Sequence, residues 1–94
     1  MIAEHVEIRV REGMAAELEN RFDDIRTLLL AAPGCSAAAL APSVDRENTF
    51  LLTAQWDRLE DHVETFVNSE SGPRVRQILE PLCAEVPRVT HYRY

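Results

Sequence analysis

Trp56, His62 and Arg76 are the side chains whose types and spacing could handle a small, flat, acidic molecule. Trp56 closes an apolar alternation with Phe50, Leu52 and Ala54, so its indole shares their face. It is either a core aromatic whose N–H finds a carbonyl, or a pocket wall that stacks on a substrate and donates to its oxygen. His62 lies three residues after Leu59 and four before Phe66, on or beside the apolar face of a helix. A histidine facing a cavity can take or give a proton near neutral pH, whereas one at the edge of a core is merely hydrogen-bonded. Arg76 flanks the stripe Val75, Ile78, Leu79 and Leu82. Most helix arginines are solvated, but a guanidinium at the mouth of an apolar pocket can offset negative charge there. Arg74 is the alternative for that role.

These side chains need elements to position them. Ile2 to Val10 reads as a strand, with Val6, Ile8 and Val10 alternating against His5, Glu7 and Arg9. After Gly13 the apolar period lengthens, and Met14, Leu18, Phe22, Ile25 and Leu29 form one helical stripe. Ala32-Pro33-Gly34 stops that helix. Cys35 to Ser43, a run of small side chains, reads as a second strand, and Thr49 to Trp56 as a third. Asp57 offers an N-cap, with Glu60 placed as in a capping box, for a second helix ending around Asn68. Its apolar side would carry Leu59, Val63, Phe66 and Val67. Ser69 to Gly72 reads as a loop. Pro73 suits the first turn of a third helix, which Pro81 limits, and Val86 to Tyr94 completes the sheet. The order β-α-β-β-α-α-β predicts an α+β, ferredoxin-like domain over residues 1–94. Its helices would cover one face of a four-stranded antiparallel sheet. The other face, with His5, Glu7, Arg9, Leu51, Thr53 and Gln55, would be wet or paired with another protomer.

Composition narrows the partners. A chain of 94 residues buries only about 60–65 % of its unfolded surface alone, so a second copy would add materially to stability. The net charge of -6, with ten arginines and no lysine, argues against a nucleic-acid partner. The early charge at Glu4 and the lack of a long apolar run argue against a signal peptide and a membrane span. Cys35 and Cys83 fit neither a disulfide framework nor a metal pattern, and read as reduced thiols in a cytoplasmic protein.

Phe50-Leu51-Leu52-Thr53-Ala54-Gln55-Trp56-Asp57 leads into Glu60-Asp61-His62 and Phe66-Val67-Asn68-Ser69. With Pro33-Gly34-Cys35 before and Val89-Thr90-His91-Tyr92 after, the chain resembles the antibiotic-biosynthesis monooxygenase family along essentially its whole length. The resemblance implies a homodimer in which two sheets face each other as a dimeric α+β barrel. Each protomer would keep a pocket between its own sheet and helices. That family is chemically mixed: it holds cofactor-free oxygenases of polycyclic phenols, haem-degrading enzymes and proteins acting on other small molecules. Arg76, twenty residues after Trp56, matches an arginine of the quinone-forming oxygenases. His62 stands where they carry a tyrosine, and Leu52 where they carry an asparagine, so one oxygen-directed donor is missing. Phe66 occupies the place of the histidine used by the haem-degrading branch, which leaves haem without an axial ligand.

No GxGxxG, P-loop, CxxC, HExxH or nucleophile elbow is present, so nucleotide, flavin, structural metal and hydrolytic chemistry have no motif behind them. The expectation is a monooxygenase that needs no cofactor or metal and acts with O2 on a small aromatic or otherwise acidic molecule. His62 and Arg76 would be catalytic, and Trp56, Leu52 and Phe66 would line the pocket. The small residues Ala37 to Ala41 would either leave room beneath the helices or permit close packing. The alternatives are a small-molecule-binding or isomerase-type member, and, more remotely, a haem-degrading one.

Overall fold

Alternation along the first strand decides which way the sheet faces. The computed structural model describes all of residues 1–94. In it, β1 (Ile2–Arg9) buries Ile2, Glu4, Val6 and Ile8 and leaves Glu7 and Arg9 exposed. β1 is central, flanked by β3 (Thr49–Trp56) on one side and β4 (Arg88–Arg93) on the other. β2 (Cys35–Pro42) lies beyond β3, giving the antiparallel order β2-β3-β1-β4. The register sets Glu4 opposite Ala54 on one neighbour and opposite His91 on the other. The small Ala54 leaves space beside an inward carboxylate.

Two helices cover the inward face. α1 (Ala15–Leu30) lays Leu18, Ile25 and Leu29 onto the sheet, with Phe22 half-buried and Met14 exposed. α2 (Ser71–Leu79) buries Leu79 and packs beside α1. Pro73 falls in its first turn, where a missing N–H costs nothing. At Pro81 the chain tightens into a 3₁₀ turn, Glu80–Leu82. Trp56, Ile8, Leu18, Ile25 and Val10 are the largest fully buried side chains. The result is the expected ferredoxin-like α+β arrangement with an open four-stranded sheet. No helix is long and apolar enough to cross a membrane.

The segment after Trp56 departs from expectation. Asp57 caps no helix; its backbone N–H donates to the Gly34 carbonyl at 2.8 Å. The capping box with Glu60 does not form, and Asp61 takes the turn instead, its carboxylate accepting from the Arg58 backbone N–H at 3.1 Å. Asp61–Phe66 is a π-helix, in which the Val67 N–H donates to the His62 carbonyl five residues back. The wider turn breaks the expected stripe: Phe66 is buried, whereas Val63 is 40 % and Val67 44 % exposed.

Smaller boundary differences have similar local causes. β1 ends at Arg9, and Val10 makes only an isolated bridge to Cys83. β2 ends at Pro42 and carries a bulge between Cys35 and Ala37. β4 begins at Arg88, because Pro87 has no N–H to give the ladder, and Val86 is exposed. α2 starts at Ser71, inside the expected loop.

Candidate active site

Glu4 carries the odd side chain of β1, an acid in the inward register of Val6 and Ile8, only 5 % exposed. A buried carboxylate needs donors, and two reach it. The Trp56 Nε1–H donates to Oε1 at 2.9 Å, and His62 Nε2 lies 3.3 Å from Oε2. Trp56 can reach because it ends β3 on the same face, two residues beyond the Ala54 that faces Glu4. His62 can reach because only four residues separate the end of β3 from the π-helix, whose first turn folds back over the indole. The two rings stack with centroids 5.2 Å apart and planes 25° from parallel. Phe66 follows on the same side, 5.5 Å from the Trp56 ring and 6.1 Å from His62.

The second nitrogen of His62 is also engaged. Its Nδ1 is 2.8 Å from Nε2 of His91, which stands on β4 directly across from Glu4. Glu4, His62 and His91 thus form a chain of three titratable groups, with Trp56 holding the buried end. Burial pushes the Glu4 carboxyl above its ordinary value, while the Trp56 hydrogen bond and the nearby His91 charge oppose it. Burial also lowers His62. His91 is lowered by burial first and by the charge of His62 second, with Glu4 opposing. An acid pushed up and two bases pushed down have affinities for a proton that converge, which suits proton exchange among them.

A cavity of about 540 Å³ opens over this chain, between the sheet and α2. Glu4 and His62 form its polar floor. Val6, Leu52, Phe66, Val75, Leu79 and Val89 supply apolar walls, and Arg76, Glu80 and Glu85 stand at the margin. Arg76 is exposed and takes part in none of the four ion pairs, so its charge is free to meet a ligand. Arg74 does not reach the cavity. No group of three or more His, Cys, Asp or Glu side chains is arranged to hold a metal ion.

Four residues singled out from the sequence, His62, Arg76, Leu52 and Phe66, therefore meet around one cavity. Trp56 does not reach it. It is 0 % exposed, lies beneath His62, and its N–H is occupied by Glu4, so it cannot stack on a ligand. The alanines of β2 do not line this cavity either. Ala38 is buried in the core, and Ala37 and Ala39 border a hollow on the far face of the sheet, beside His5, Thr53 and Tyr94. Glu4 and His91 were missed. The available signal was parity: each shares its strand's inward register with a valine, Val6 or Val89.

The antibiotic biosynthesis monooxygenase family profile matches residues 1–78, which include Glu4, Trp56, His62 and Arg76 but stop short of His91. A crystal structure from Bordetella bronchiseptica, named as a candidate antibiotic biosynthesis monooxygenase, superposes with a TM-score of 0.94 at 28 % identity. The superposition covers 99 % of this chain and 95 % of that one. The uncharacterised protein YczJ of Bacillus subtilis is 25 % identical over 93 residues, 99 % of this chain and 98 % of its own. A Deinococcus radiodurans structure, similarly named, has a TM-score of 0.82 at 20 % identity, covering 100 % and 92 % of the two chains. At that identity it speaks for the fold alone.

Proposed function

The chain belongs to the antibiotic biosynthesis monooxygenase family, and we propose that it is a cofactor-independent monooxygenase of small, acidic aromatic molecules. The observation that carries this reading is the buried Glu4–His62 pair at the floor of an apolar cavity, with Arg76 at its rim. Leu52, Phe66, Val75 and Leu79 exclude water from a flat substrate. Glu4 and His62 together remove its proton, because neither His62 nitrogen is free to act alone. Arg76 offsets the negative charge that develops. Trp56 orients Glu4 and is a positioning residue.

For an anthrone the balance closes without a cofactor. The ring CH2 loses one proton to the base, and the carbanion gives its electrons to O2. The resulting carbon-bound peroxide takes that proton back from the base, and loss of water with the remaining ring C–H proton leaves a carbonyl. One O2 is consumed, with one oxygen atom in the quinone and one in water. The protein has to bind, deprotonate and keep solvent away.

The same reading includes a homodimer formed through the far face of the sheet, where Leu51 and Tyr92 are exposed and His5 packs 4.9 Å from Tyr92. It also includes a cytoplasmic location. Sedimentation equilibrium should give about twice the 10.7 kDa chain mass, and a persistent monomer would remove the barrel from the account.

One residue favours a second reading. Leu52 offers no oxygen-directed donor in the cavity, and the proton-transfer pair alone would suffice for an isomerase-type reaction or for simple binding. Oxygen uptake with a panel of anthrones and hydroquinones in metal-free buffer decides between them. Uptake above the buffer rate supports the monooxygenase. Binding of the same compounds without uptake supports the second reading. A haem titration in parallel, read as a Soret shift, tests the haem-degrading alternative.

A further inference from the structure

We propose that Glu4, His62 and His91 form a proton relay that carries a proton between the cavity floor and the outer edge of the sheet, with His91 as its solvent end. Glu4 lines the cavity, whereas His91 does not. His91 sits on β4, the edge strand, is only half-buried, and its Nδ1 has no partner within the chain. The two links between these ends measure 3.3 and 2.8 Å. The proposal deepens the acid–base reading above and rests on it for its purpose, though not for its test.

Hydrogen-bond logic permits two ordered states that differ by one proton. In the first, Glu4 is a carboxylate accepting from His62 Nε2–H, His62 Nδ1 accepts from His91 Nε2–H, and His91 Nδ1 carries a lone pair. In the second, the Glu4 carboxyl donates to His62 Nε2, His62 Nδ1–H donates to His91 Nε2, and His91 Nδ1–H faces water. A proton taken by Glu4 from a bound molecule converts the first state into the second once both imidazoles change tautomer. Loss of the His91 Nδ1 proton to water shifts each remaining proton outward by one bond and restores the first. The molecule loses one proton, solvent gains one, and neither resting state holds an imidazolium in the buried stretch, where it would be costly.

The surroundings leave this chain as the polar route. From β1 the chain is faced by Glu4 itself and from the π-helix by His62. From β3 it meets only Leu52, Ala54 and Trp56, which do not titrate. The Cys35 thiol of β2 is near enough to feel Glu4, and burial raises it, so it stays protonated. Arg76, Glu80, Cys83 and Glu85 border the cavity but make no hydrogen bond to the three.

Nitrogen-15 NMR of histidine-labelled protein, without substrate, tests this by reading each ring nitrogen across a pH titration. The first proton taken up on acidification should switch His62 and His91 together from the Nε2–H to the Nδ1–H tautomer at one shared midpoint. Independent midpoints, with one ring doubly protonated while the other keeps its tautomer, would overturn the relay. Glu4→Gln gives a second reading. The Trp56 N–H claims the amide oxygen, so the NH2 must donate to His62 Nε2 and hold both rings as Nδ1–H at every pH where they are neutral. Unchanged Nε2–H tautomers in that variant would also overturn it. Neither experiment involves oxygen or turnover, so failure here leaves the oxygen-uptake result standing, and the reverse holds too.

Discussion

His62 Nδ1 and His91 Nε2 lie 2.8 Å apart, joining a π-helix to an edge strand 29 residues further along the chain. His62 is therefore tied at both nitrogens and serves the fold as well as the cavity. Replacing it with phenylalanine keeps the stacking on Trp56 but leaves the buried Glu4 with one donor fewer. The cost should be about 1–3 kcal/mol, as for other buried groups left unpaired. Turnover should be lost at the same time. Urea unfolding of the variant checks the first figure, and a cost near zero would mean that the Glu4–His62 contact contributes little.

The Trp56–Glu4 bond makes a contrasting pair of variants. Glu4→Leu removes the acceptor of a buried indole N–H and should cost about 1–3 kcal/mol. Glu4→Gln keeps an acceptor and removes a buried charge, so near neutral pH it should match or exceed the wild type in stability.

The pH dependence of that comparison has a definite sign. The folded Glu4 pKa is raised above 4.5, so between 4.5 and the folded value the native state holds a proton that the unfolded state has released. Wild-type stability attributable to Glu4 is thus present at low pH and lost as pH rises through that window. The difference in Tm between Glu4→Gln and wild type should grow with pH above 4.5 and then level off. The histidines act oppositely. Their folded pKa values are lowered from 6.5, so stability falls as pH drops from 6.5 toward those lowered values, where the unfolded chain takes up protons first. A pH-independent Tm difference would contradict the assignment for Glu4.

Gly34 shapes the site from outside it. Its φ of +85° lies in the left-handed region, and a β-carbon there would collide with the Asp61 carboxylate. Asp61 opens the π-helix that carries His62, so Gly34→Ala should destabilise by more than about 1 kcal/mol. The shift should reach the site, visible as a change in the His62 ring resonances.

Arg76→Ala should leave the unfolding midpoint nearly unchanged, within about 0.5 kcal/mol, because the side chain is exposed. Turnover should fall of order 10²-fold if the guanidinium meets developing charge. Full activity in this variant would mean that Arg76 is only solvated.

The fold was largely legible, since period-two and helical stripes report burial directly and mark β1, α1 and β3 closely. The site was half legible. His62 and Arg76 stand out as polar residues beside apolar stripes, but Glu4 hides within three residues of the N-terminus, where alternation has barely begun. His91 pairs with Glu4 across the sheet, a relation set by strand register and not by neighbours in sequence. The π-helix was illegible in principle, because Asp57 and Glu60 fit an ordinary capping box equally well. What displaced that box is a tertiary bond joined by a local one: the Asp57 N–H is taken by Gly34, and Asp61, three residues after Arg58, fills the turn.

The central claim is that the cavity turns a weakly acidic guest into its anion. The direct measurement is the absorbance spectrum of a naphthol or hydroxyanthrone bound to the protein, well below the pH at which the free compound ionises. The account predicts a phenolate band with wild type, weakened by Arg76→Ala and absent with His62→Phe. A bound compound that stays neutral in the wild type, or ionises equally in all three proteins, would contradict it.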